Sequence, residues 1–584
     1  MTYSPAPPQE FSFAPEMSKQ DNRTLAEEIS KRQTRLENIR KDFDDLYDDV
    51  DDYVIGRRSN YDLGSKRGDK AGGKVGAKIY DQTAAMALQD FVDGYQGNSA
   101  APTIDWWSPI FRGSTPGGKL LKGMHETRIW LDDVKEAINA EVNNSNFYSQ
   151  LSEGTWDRAT YGYSAIYGPE WSARRNRLIY YLRHPREVFF ALNAEGDPDL
   201  WHRKFMISGR QIMDLWPDAP FEDTFRLALK TDPYKEYVCI HAIFPRDERD
   251  ITKITAENKP YASVYMLDGQ KTVLEESGMD PGEVPTLARW RATNEAYPRS
   301  AAIDAIFTVM MIQQMARSSL RATQLLVEPP QIATGTMKGK LKIQPGGVTF
   351  LDNPQDKIEP LKFPSELQAG FMEIKDNREA IAKMFKAEIF SMMSQMKSKI
   401  TAAQVQAMQG EQATLLQPIV TRDQNENLIP LLKKTFTTLL KAGRLPPPPP
   451  SMLDPQVRYT PVDFTFSGPV AMLAKKHVSM MGVNAAVPEI LQLIKEQPQL
   501  ASMLDKLDPD ALYDYIMDSS GAPTIINRDE KLVAQIRQER AKQLQQQQKL
   551  EAMDKAAGAL QKGAKAPEEG SPSEALMGDQ GGQQ

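Results

Sequence analysis

The chain has 584 residues, of which 40% are hydrophobic and 26% are charged, and its formal net charge is −7. A chain this long exceeds what one hydrophobic core usually serves, so we expect several domains. No apolar run approaches the roughly 20 residues that cross a bilayer, so we predict no membrane insertion. The net negative charge excludes a protein that binds DNA tightly over its whole surface, because tight binding requires Lys and Arg to neutralise phosphates. Any contact with nucleic acid should be loose or confined to a small local patch.

The residue types that usually carry chemistry are sparse. A single cysteine, Cys239, excludes an intrachain disulfide framework and fits a reducing cytoplasm. Its apolar surroundings favour a small buried hydrophobe over a catalytic thiol. The histidines show neither HxxxH nor HExxH spacing, so we predict no metal, no cofactor and no enzymatic activity. The histidines are His125, His184, His202, His241 and His477.

The N-terminal region begins with residues 1–20, which we predict to be a flexible arm. From Asn22 to Val54, apolar residues recur at spacings of three, four and seven, which predicts a helix. We interpret its acid-rich stretch from Asp42 to Asp52 as a solvated face rather than a metal site. Residues 56–77 are rich in Gly and Lys and predict a loop, and Lys78 to Val92 predicts a second helix.

Within that loop, Gly68-x4-Gly73-Lys74 looks like part of a phosphate-binding loop. The full pattern needs Ser or Thr next to hold magnesium, and Val75 follows instead. It also needs a buried strand just before it, whereas residues 59–67 are polar. A mobile basic loop is therefore the better interpretation, and a nucleotide hydrolase that uses Lys74 is the alternative.

The middle of the chain changes from helical to β-rich character. Trp106 and Trp107 sit in a short apolar stretch and are interpreted as core anchors. Leu120 to Arg158 predicts mainly helix, and residues 160–293 predict a small β-barrel or sandwich. Asp268-Gly269 is a hairpin signal between two of its strands. The predicted strands are Leu178 to Leu182, Glu187 to Leu192, Tyr237 to Phe244, Ala262 to Leu267 and Lys271 to Leu274.

Two long helices follow. The first is predicted from Ser300 to Val327, with Ser300 as its N-cap and Pro329-Pro330 as its stop. At 1.5 Å per residue it would be roughly 42 Å long. The second is predicted from about Ser365 to Met393, where apolar residues again recur at spacings of three, four and seven.

A third helical segment runs from Thr401 to Ala442 and contains Pro418 and Pro430, which predict a kink or break. Val457 to Phe466 predicts a strand. Residues 468–518 predict short helices broken at prolines, and Asn527 to about Lys562 predicts a last, Gln-rich helix.

Two polar connections join the long helices, and both carry lysines. Lys338, Lys340 and Lys342 alternate within residues 328–364, which look extended. One interpretation is a solvated strand edge on which the lysines prevent aggregation, and the other is a contact with DNA or a partner. Lys397, Ser398 and Lys399 lie in residues 394–400, where a solvated interhelical loop is the simpler interpretation.

Three stretches, taken in order over roughly residues 290–560, resemble the podoviral head-to-tail connector, or portal, family. The first is Tyr297-Pro298-Arg299-Ser300-Ala301-Ala302-Ile303-Asp304-Ala305, followed by a helix that ends at Val327-Glu328-Pro329-Pro330. The second starts at Thr401-Ala402-Ala403-Gln404-Val405 and ends at Leu439-Leu440-Lys441-Ala442-Gly443-Arg444-Leu445-Pro446 before a polyproline run. The third is Gly521-Ala522-Pro523, followed by a Gln/Arg/Lys-rich helix.

The resemblance implies an α+β portal fold that is mainly α-helical, has a small β-rich wing module and a short β-containing clip, and forms a cyclic dodecamer. The implied regions are, after the arm, wing 21–293 with the β-rich module at about 160–293, stem helix 294–327, clip 328–364, stem helix 365–393, channel loop 394–400, kinked wing helix and strand 401–484, crown 485–526, short barrel helix 527–562 and disordered tail 563–584.

The resemblance also implies a function and partners. The ring would form the channel at one capsid vertex of a short-tailed bacteriophage, through which double-stranded DNA is packaged and ejected. Lys397, Ser398 and Lys399 would face that DNA, and the three clip lysines would meet partners. The implied partners are the terminase large subunit, the tail adaptor and tail proteins, and the major capsid and scaffolding proteins, with assembly in the host cytoplasm. Another virion component, such as an adaptor or internal ejection protein, is the alternative.

Overall fold

The computed structural model describes residues 19–56, 78–246, 249–253, 255–291, 295–327, 331–333, 355, 358–360, 368–390, 414–455, 457, 460–468, 508–510, 512–513 and 530–563. The Gly/Lys-rich loop with Lys74 lies outside these residues except for Gly56. Nearly all of the predicted arm and crown, and all but residue 563 of the predicted tail, also lie outside them. In the described part, helices surround four small antiparallel sheets.

The first helix, α1, spans Lys19–Val50 and continues as one π-helical turn, Asp51–Ile55, so the predicted helix is confirmed. The interpretation of its acidic stretch as solvated is wrong at Asp51, whose side chain is buried. Asp51 accepts hydrogen bonds from the Tyr161 hydroxyl at 2.6 Å and from Arg186 at 2.9 Å. These partners lie more than 100 residues away in sequence, so the local pattern could not indicate them.

In the described part of the chain, four helices follow before the β-rich region, and their bounds differ from the predicted ones mainly at the ends. They are α2 (Thr83–Ser99), α3 (Pro116–Gly123), α4 (His125–Asn143) and α5 (Phe147–Tyr161). The pair Trp106 and Trp107 is about 2% exposed, as predicted for core anchors. Trp107 opens β1 (Trp107–Phe111), which pairs antiparallel with β12 (Val462–Phe466). This pairing joins two parts of the chain about 350 residues apart in the described fold.

The β-rich region consists of two antiparallel sheets, in the strand orders β3-β2-β9 and β4-β5-β6-β7-β8. The barrel alternative is wrong, because the larger sheet is open with β4 and β8 at its edges. The two sheets meet where the Tyr167 and His241 rings lie 5.7 Å apart, which is closer to the sandwich alternative. The strands are β2 (Tyr163–Ser172), β3 (Arg177–Arg183), β4 (Val188–Leu192), β5 (Pro198–Ser208), β6 (Glu236–Pro245), β7 (Tyr261–Leu267), β8 (Thr272–Met279) and β9 (Thr286–Arg289).

All five predicted strand runs form strands, whereas β2, β5 and β9 were not indicated by the sequence. Two unpredicted helices, α6 (Gly209–Leu215) and α7 (Asp223–Thr231), are inserted between β5 and β6. Ser208 begins α6 with a capping box, a signal that the sequence did contain. The larger sheet is covered on one face by α1, through Ala26 and Ile29, and on the other by α6 and α7.

Two buried histidines lie in this sheet. The Nδ1 of His202 is 3.1 Å from the Gln33 side-chain oxygen, and His241 is 2.9 Å from the Ser263 hydroxyl. Burial lowers the pKa of His202 to about 3, and a nearby arginine contributes to the decrease. Burial likewise holds the pKa of His241 well below its ordinary value, with Arg203 as a further cause. Both rings are therefore neutral in the folded chain at neutral pH.

We expect the free energy of unfolding to fall as the pH decreases from about 6.5 toward 3. In that window the unfolded chain binds a proton on His202 and the folded chain does not, so acid favours unfolding by up to about 1.4 kcal/mol per pH unit for each such group. His202→Gln should make the decline shallower. Urea unfolding between about pH 7 and pH 5 measures both slopes, and equal slopes for the two proteins would contradict the prediction.

The first long helix, α8, spans Ala301–Val327, and Ser300 caps it as predicted. The Ser300 hydroxyl oxygen accepts a hydrogen bond from the Ile303 amide at 3.0 Å. The strands β10 (Gln331–Ala333) and β11 (Ile358–Pro360) pair antiparallel just after it.

The second long helix, α9, spans Gln368–Met384. Residues 385–387 interrupt the predicted helix, residues 388–390 are helical again, and residues 391–393 lie outside the described part of the chain. The chain leaves the helix because Lys386 adopts a left-handed conformation, with φ at 58°. The amide of the next residue, Ala387, then bonds back to Ala382 at 3.1 Å, which closes the helix end.

The third helical segment is interrupted before Pro430, as predicted, whereas Pro418 lies within the continuous helix of residues 414–423. Helix α10 covers residues 414–423, a π-helical turn covers Gln424–Leu428, and α11 covers Ile429–Lys441. Pro430 lacks an amide hydrogen to donate to the preceding turn, which accounts for the irregular turn just before it. The last helix, α12 (Glu530–Gly563), confirms the predicted C-terminal helix.

Candidate functional site at the base of the long helices

The site residues suggested by the sequence lie outside the described residues. These are Lys338, Lys340, Lys342, Lys397, Ser398 and Lys399. The β10–β11 pair does bring the two ends of the predicted clip segment together, with Gln331 opposite Pro360. The part of the candidate site that the structure describes is therefore the base from which these segments extend.

The start of α8 is joined to the end of α5. The Ser300 hydroxyl donates a hydrogen bond to the Thr160 carbonyl at 2.6 Å, while the same oxygen caps α8. Just after α5, Gly162 has φ at 95°, and a Cβ there would lie 2.3 Å from the Pro298 carbonyl oxygen. The chain passes so closely here that only glycine fits. This close packing fixes where the long helix begins.

Two side chains join the long helices to the segment before α2. Gln313 does so for α8, halfway along that helix, and Arg378 does so for α9. Gln313 makes three hydrogen bonds. Its side-chain oxygen accepts from the Tyr80 and Asp81 amides at 2.7 and 2.8 Å, and its side-chain nitrogen donates to the Asp81 carbonyl at 2.8 Å. Arg378 of α9 forms an ion pair with the Asp81 carboxylate at 2.7 Å. Burial alone would raise the pKa of Asp81, but hydrogen bonds from Thr83 and Arg378 hold it below its usual range.

We expect Gln313→Ala to destabilise the protein by about 1–3 kcal/mol, because it leaves buried backbone groups of residues 80 and 81 without partners. Gln314→Ala is the matched control, since Gln314 is the exposed neighbour on the same helix. Thermal unfolding of both variants measures the effect. A Gln313 variant as stable as the Gln314 variant would mean that this set of bonds is dispensable.

Beyond Gln313, α8 leaves the body of the chain. Its first half, from Ala301 to Ile312, contributes many buried side chains, whereas from Gln314 onward its described side chains are half-buried or exposed. Leu320, in this second half, is 52% exposed, and Phe307 and Met311 in the first half are also exposed, at 74% and 45%. Met311 and Leu320 are nine residues, or two and a half turns, apart, so apolar groups are exposed on opposite faces of the helix.

A buried ion pair fixes the kinked helix to the rest of this base. Arg158 of α5 and Asp423 at the end of α10 form a salt bridge, with 4% and 2% of their side chains exposed. Asp423 also accepts from the Tyr95 hydroxyl of α2 at 2.8 Å and from the side-chain amide of Asn427, one turn further on, at 2.9 Å. Three separate parts of the chain, α2, α5 and the kinked helix, therefore meet at one carboxylate.

Metal-binding clusters and a reactive cysteine are the kinds of site to consider among the described residues. No group of three His, Cys, Asp or Glu side chains in the described part of the chain is placed to hold a metal ion. Cys239 is fully buried, as interpreted, and burial raises the pKa of its thiol to about 12, so it is not a reactive thiolate. Among the described helices, none is both long and apolar enough to cross a membrane.

The residues that organise this base were missed at the sequence level. Arg158 and Asp423 lie 265 residues apart, and neither belongs to a recognisable motif. A weak signal in the sequence indicated a structural role for Gln313, because it is a polar residue directly beside the apolar stripe of a long helix. Gly162 follows a helix end, where glycine is common, so its close approach to Pro298 could not be inferred.

With this geometry in view, the sequence comparison identifies the class of protein. The family described as bacteriophage head to tail connecting protein matches residues 26–526. That match covers most of the chain, and it includes most of α1, all four sheets and both long helices. The chain belongs to this family.

Two individual relatives are similar over nearly the whole length. The portal protein of Salmonella phage epsilon15 is 27% identical over 548 residues, covering 91% of this chain and 94% of that protein. The probable portal protein of Bordetella phage BPP-1 is 25% identical over 541 residues, covering 91% and 93%. A solved neck of an empty GTA particle, computed with C6 symmetry, matches 71% of this chain and 85% of that chain at 9% identity. Its TM-score is 0.33, and a likeness at that level carries no argument about this fold.

Proposed function

We propose that this chain is the portal subunit of a short-tailed bacteriophage, one of about twelve copies in a ring at one capsid vertex. The observation that carries the proposal is the family match over residues 26–526, together with the two phage portal proteins that align with 91% of the chain. DNA would enter the capsid through the ring during packaging and leave through it during ejection. The protein would be a virion component, assembled in the host cytoplasm, and would have no enzymatic role.

The exposed apolar side chains of α8 support assembly into a ring. Each subunit of a ring makes head-to-tail contacts with two neighbours, so it needs two different contact surfaces. Apolar side chains on opposite faces of α8, including Phe307 and Leu320, supply such surfaces on one helix. In this proposal α8 and α9 are the stem helices, and their neighbours in the ring cover the apolar groups that a single chain leaves in water.

The remaining regions follow from the same proposal. Residues 328–364, which include β10, β11 and the lysines Lys338, Lys340 and Lys342, are the clip. The clip would meet the terminase large subunit and later the tail adaptor and tail proteins. Residues 394–400 are the channel loop, and the wing would contact the major capsid and scaffolding proteins. The crown, the barrel helix α12 and the disordered tail follow at 485–526, 527–562 and 563–584.

Charge suggests how DNA would pass through such a ring. Each copy has a net charge of −7, so a ring would carry a large excess of negative charge. A largely acidic channel repels DNA and lets it slide, while sparse lysines such as Lys397 and Lys399 touch phosphates weakly and in a salt-sensitive manner.

We expect Phe307→Glu or Leu320→Glu to prevent ring formation while the subunit stays folded, because each places a charge in an apolar contact between subunits. Negative-stain images of the wild-type protein should show rings with a central hole and about twelve lobes. Leu227→Glu is the control, since Leu227 is an equally apolar residue, 66% exposed, on α7 in the β-rich region. Wild-type protein without rings, or variants that still form them, would contradict the assignment.

Lys397→Ala combined with Lys399→Ala should leave rings intact and reduce DNA packaging or retention, because the variant removes cations proposed to touch the phosphates. Rings are checked by negative stain, and packaged DNA is measured in assembled particles. Normal packaging would remove the DNA-contact role, and failure of ring assembly would make these lysines structural.

The alternatives predict different results. An adaptor or internal ejection protein would not give isolated rings of this shape. A nucleotide hydrolase would show ATPase activity that Lys74→Ala abolishes, whereas we expect no such activity because the packaging ATPase would be a separate protein.

A further inference from the structure

A cluster of arginines lies where strands β2 and β3 turn back on each other. Ser172 pairs with Arg177, so residues 173–176 form a four-residue loop. Arg174 and Arg175 are exposed in that loop and Arg177 is half-buried at its end. Together with Arg444, which reaches the loop from the end of α11, we call this group the arginine tip.

The backbone of the loop is fixed by hydrogen bonds. The Arg175 amide donates to the Ser172 carbonyl at 3.2 Å, and it lies 3.3 Å from the Ser172 hydroxyl oxygen. Asn176 completes the turn in the left-handed region, with φ at 47°, a conformation that asparagine tolerates better than most residues. The arginines are therefore presented on a defined turn.

Arg444 is held in place from the opposite side. Gly443, with φ at 65°, ends α11, and the Arg444 amide bonds to the Leu439 carbonyl at 2.9 Å. Its guanidinium lies 4.8 Å from the centre of the Trp171 ring and donates to the Asn176 side-chain oxygen. Such stacking on an aromatic ring orders an arginine while leaving donors free for a ligand.

The charge of the tip is not balanced locally. Arg174, Arg175 and Arg177 form no ion pair with any residue in the described part of the chain. On the same hairpin, Glu170 is an acidic residue and lies beside Tyr181. By contrast, the buried Arg40 and Arg158 both form salt bridges, in a chain with 78 acidic and 71 basic residues. Uncompensated guanidinium groups on one exposed turn attract a polyanion.

The tip is also far from the base of the long helices. Strand β2 starts at Tyr163, next to the Gly162–Pro298 contact, and runs ten residues to Ser172. At about 3.3 Å per residue, the loop lies roughly 30 Å from the point where α8 begins.

We infer that the arginine tip is a second contact surface for duplex DNA, separate from the channel loop, and that it binds the sugar–phosphate backbone without reading sequence. The inference rests on the proposed function, which brings duplex DNA to the protein. Guanidinium groups match two phosphate oxygens at once, and backbone contacts need no base-specific geometry. Every copy in a ring would present one tip, so weak individual contacts would add up around the ring.

The test measures binding of the purified full-length protein to a fluorescent duplex of about 30 base pairs and random sequence, by anisotropy between about 50 and 200 mM salt. The variant is Arg174→Ala with Arg175→Ala and Arg177→Ala. The matched control is Lys31→Ala with Arg35→Ala and Lys41→Ala, which removes the same charge from exposed positions on α1. We expect the tip variant to bind at least about tenfold more weakly, with a salt slope reduced by about 3, and the control to bind within about twofold of wild type.

Equal binding by wild type and tip variant, or equal losses in variant and control, would overturn the inference. So would wild-type protein that does not bind the duplex at all. Polyglutamate is added as a competitor at equal charge concentration. If it displaces the duplex and binds the tip more tightly, the partner of the tip is an acidic protein and the inference is wrong. Failure of the proposed function would be seen separately, as the absence of rings in images of wild type and variants alike.

Discussion

The ion pair between Arg158 and Asp423 determines how the main parts of this chain are arranged. Both charges are almost fully removed from water, which costs several kcal/mol for each ion unless other bonds compensate. Here they do, because the Tyr95 hydroxyl and the Asn427 amide also donate to the carboxylate. Two residues after Arg158, the carbonyl of Thr160 receives the hydroxyl of Ser300. The orientation of α8 is thus tied, through α5, to the same buried pair.

The chain around this base is well packed, whereas α8 beyond Gln313 is not. A monomeric protein would be expected to cover or replace groups such as Phe307 and Leu320, because exposed apolar surface costs free energy in water. The long helix therefore has two tasks. Its buried side chains, which lie in the first half, hold it to its own subunit. Its exposed apolar side chains, with Phe307 in the first half and Leu320 in the second, are available for neighbouring subunits in the proposed ring.

In the proposed ring, the net charge of −7 per chain suits a passage for DNA better than tight DNA binding. The chain is acidic overall, and its exposed acids would keep DNA from sticking. Against that background, the arginine tip is a local exception held rigid by Trp171 and Asn176. A small cationic surface on an acidic subunit gives contacts that can form and break, because few phosphates are neutralised at once.

The sequence by itself determined the features that depend on neighbouring residues. Helical periodicity, the Ser300 cap, the irregular turn before Pro430 and the buried tryptophans follow from local propensity and burial, and all of them are present. The family resemblance, carried by short motifs in a fixed order, is confirmed by the match over residues 26–526.

Only the tertiary structure decided the features that depend on distant partners. Asp51 is buried because Tyr161 and Arg186 come from far along the chain, and α9 ends at Met384, just before the left-handed Lys386, although its apolar pattern continues. The bonds from Gln313 to residues 80 and 81 pair groups more than 230 residues apart. Hydrogen-bond partners at such separations leave no periodic trace in a single sequence, so the base of the long helices could not be predicted from it.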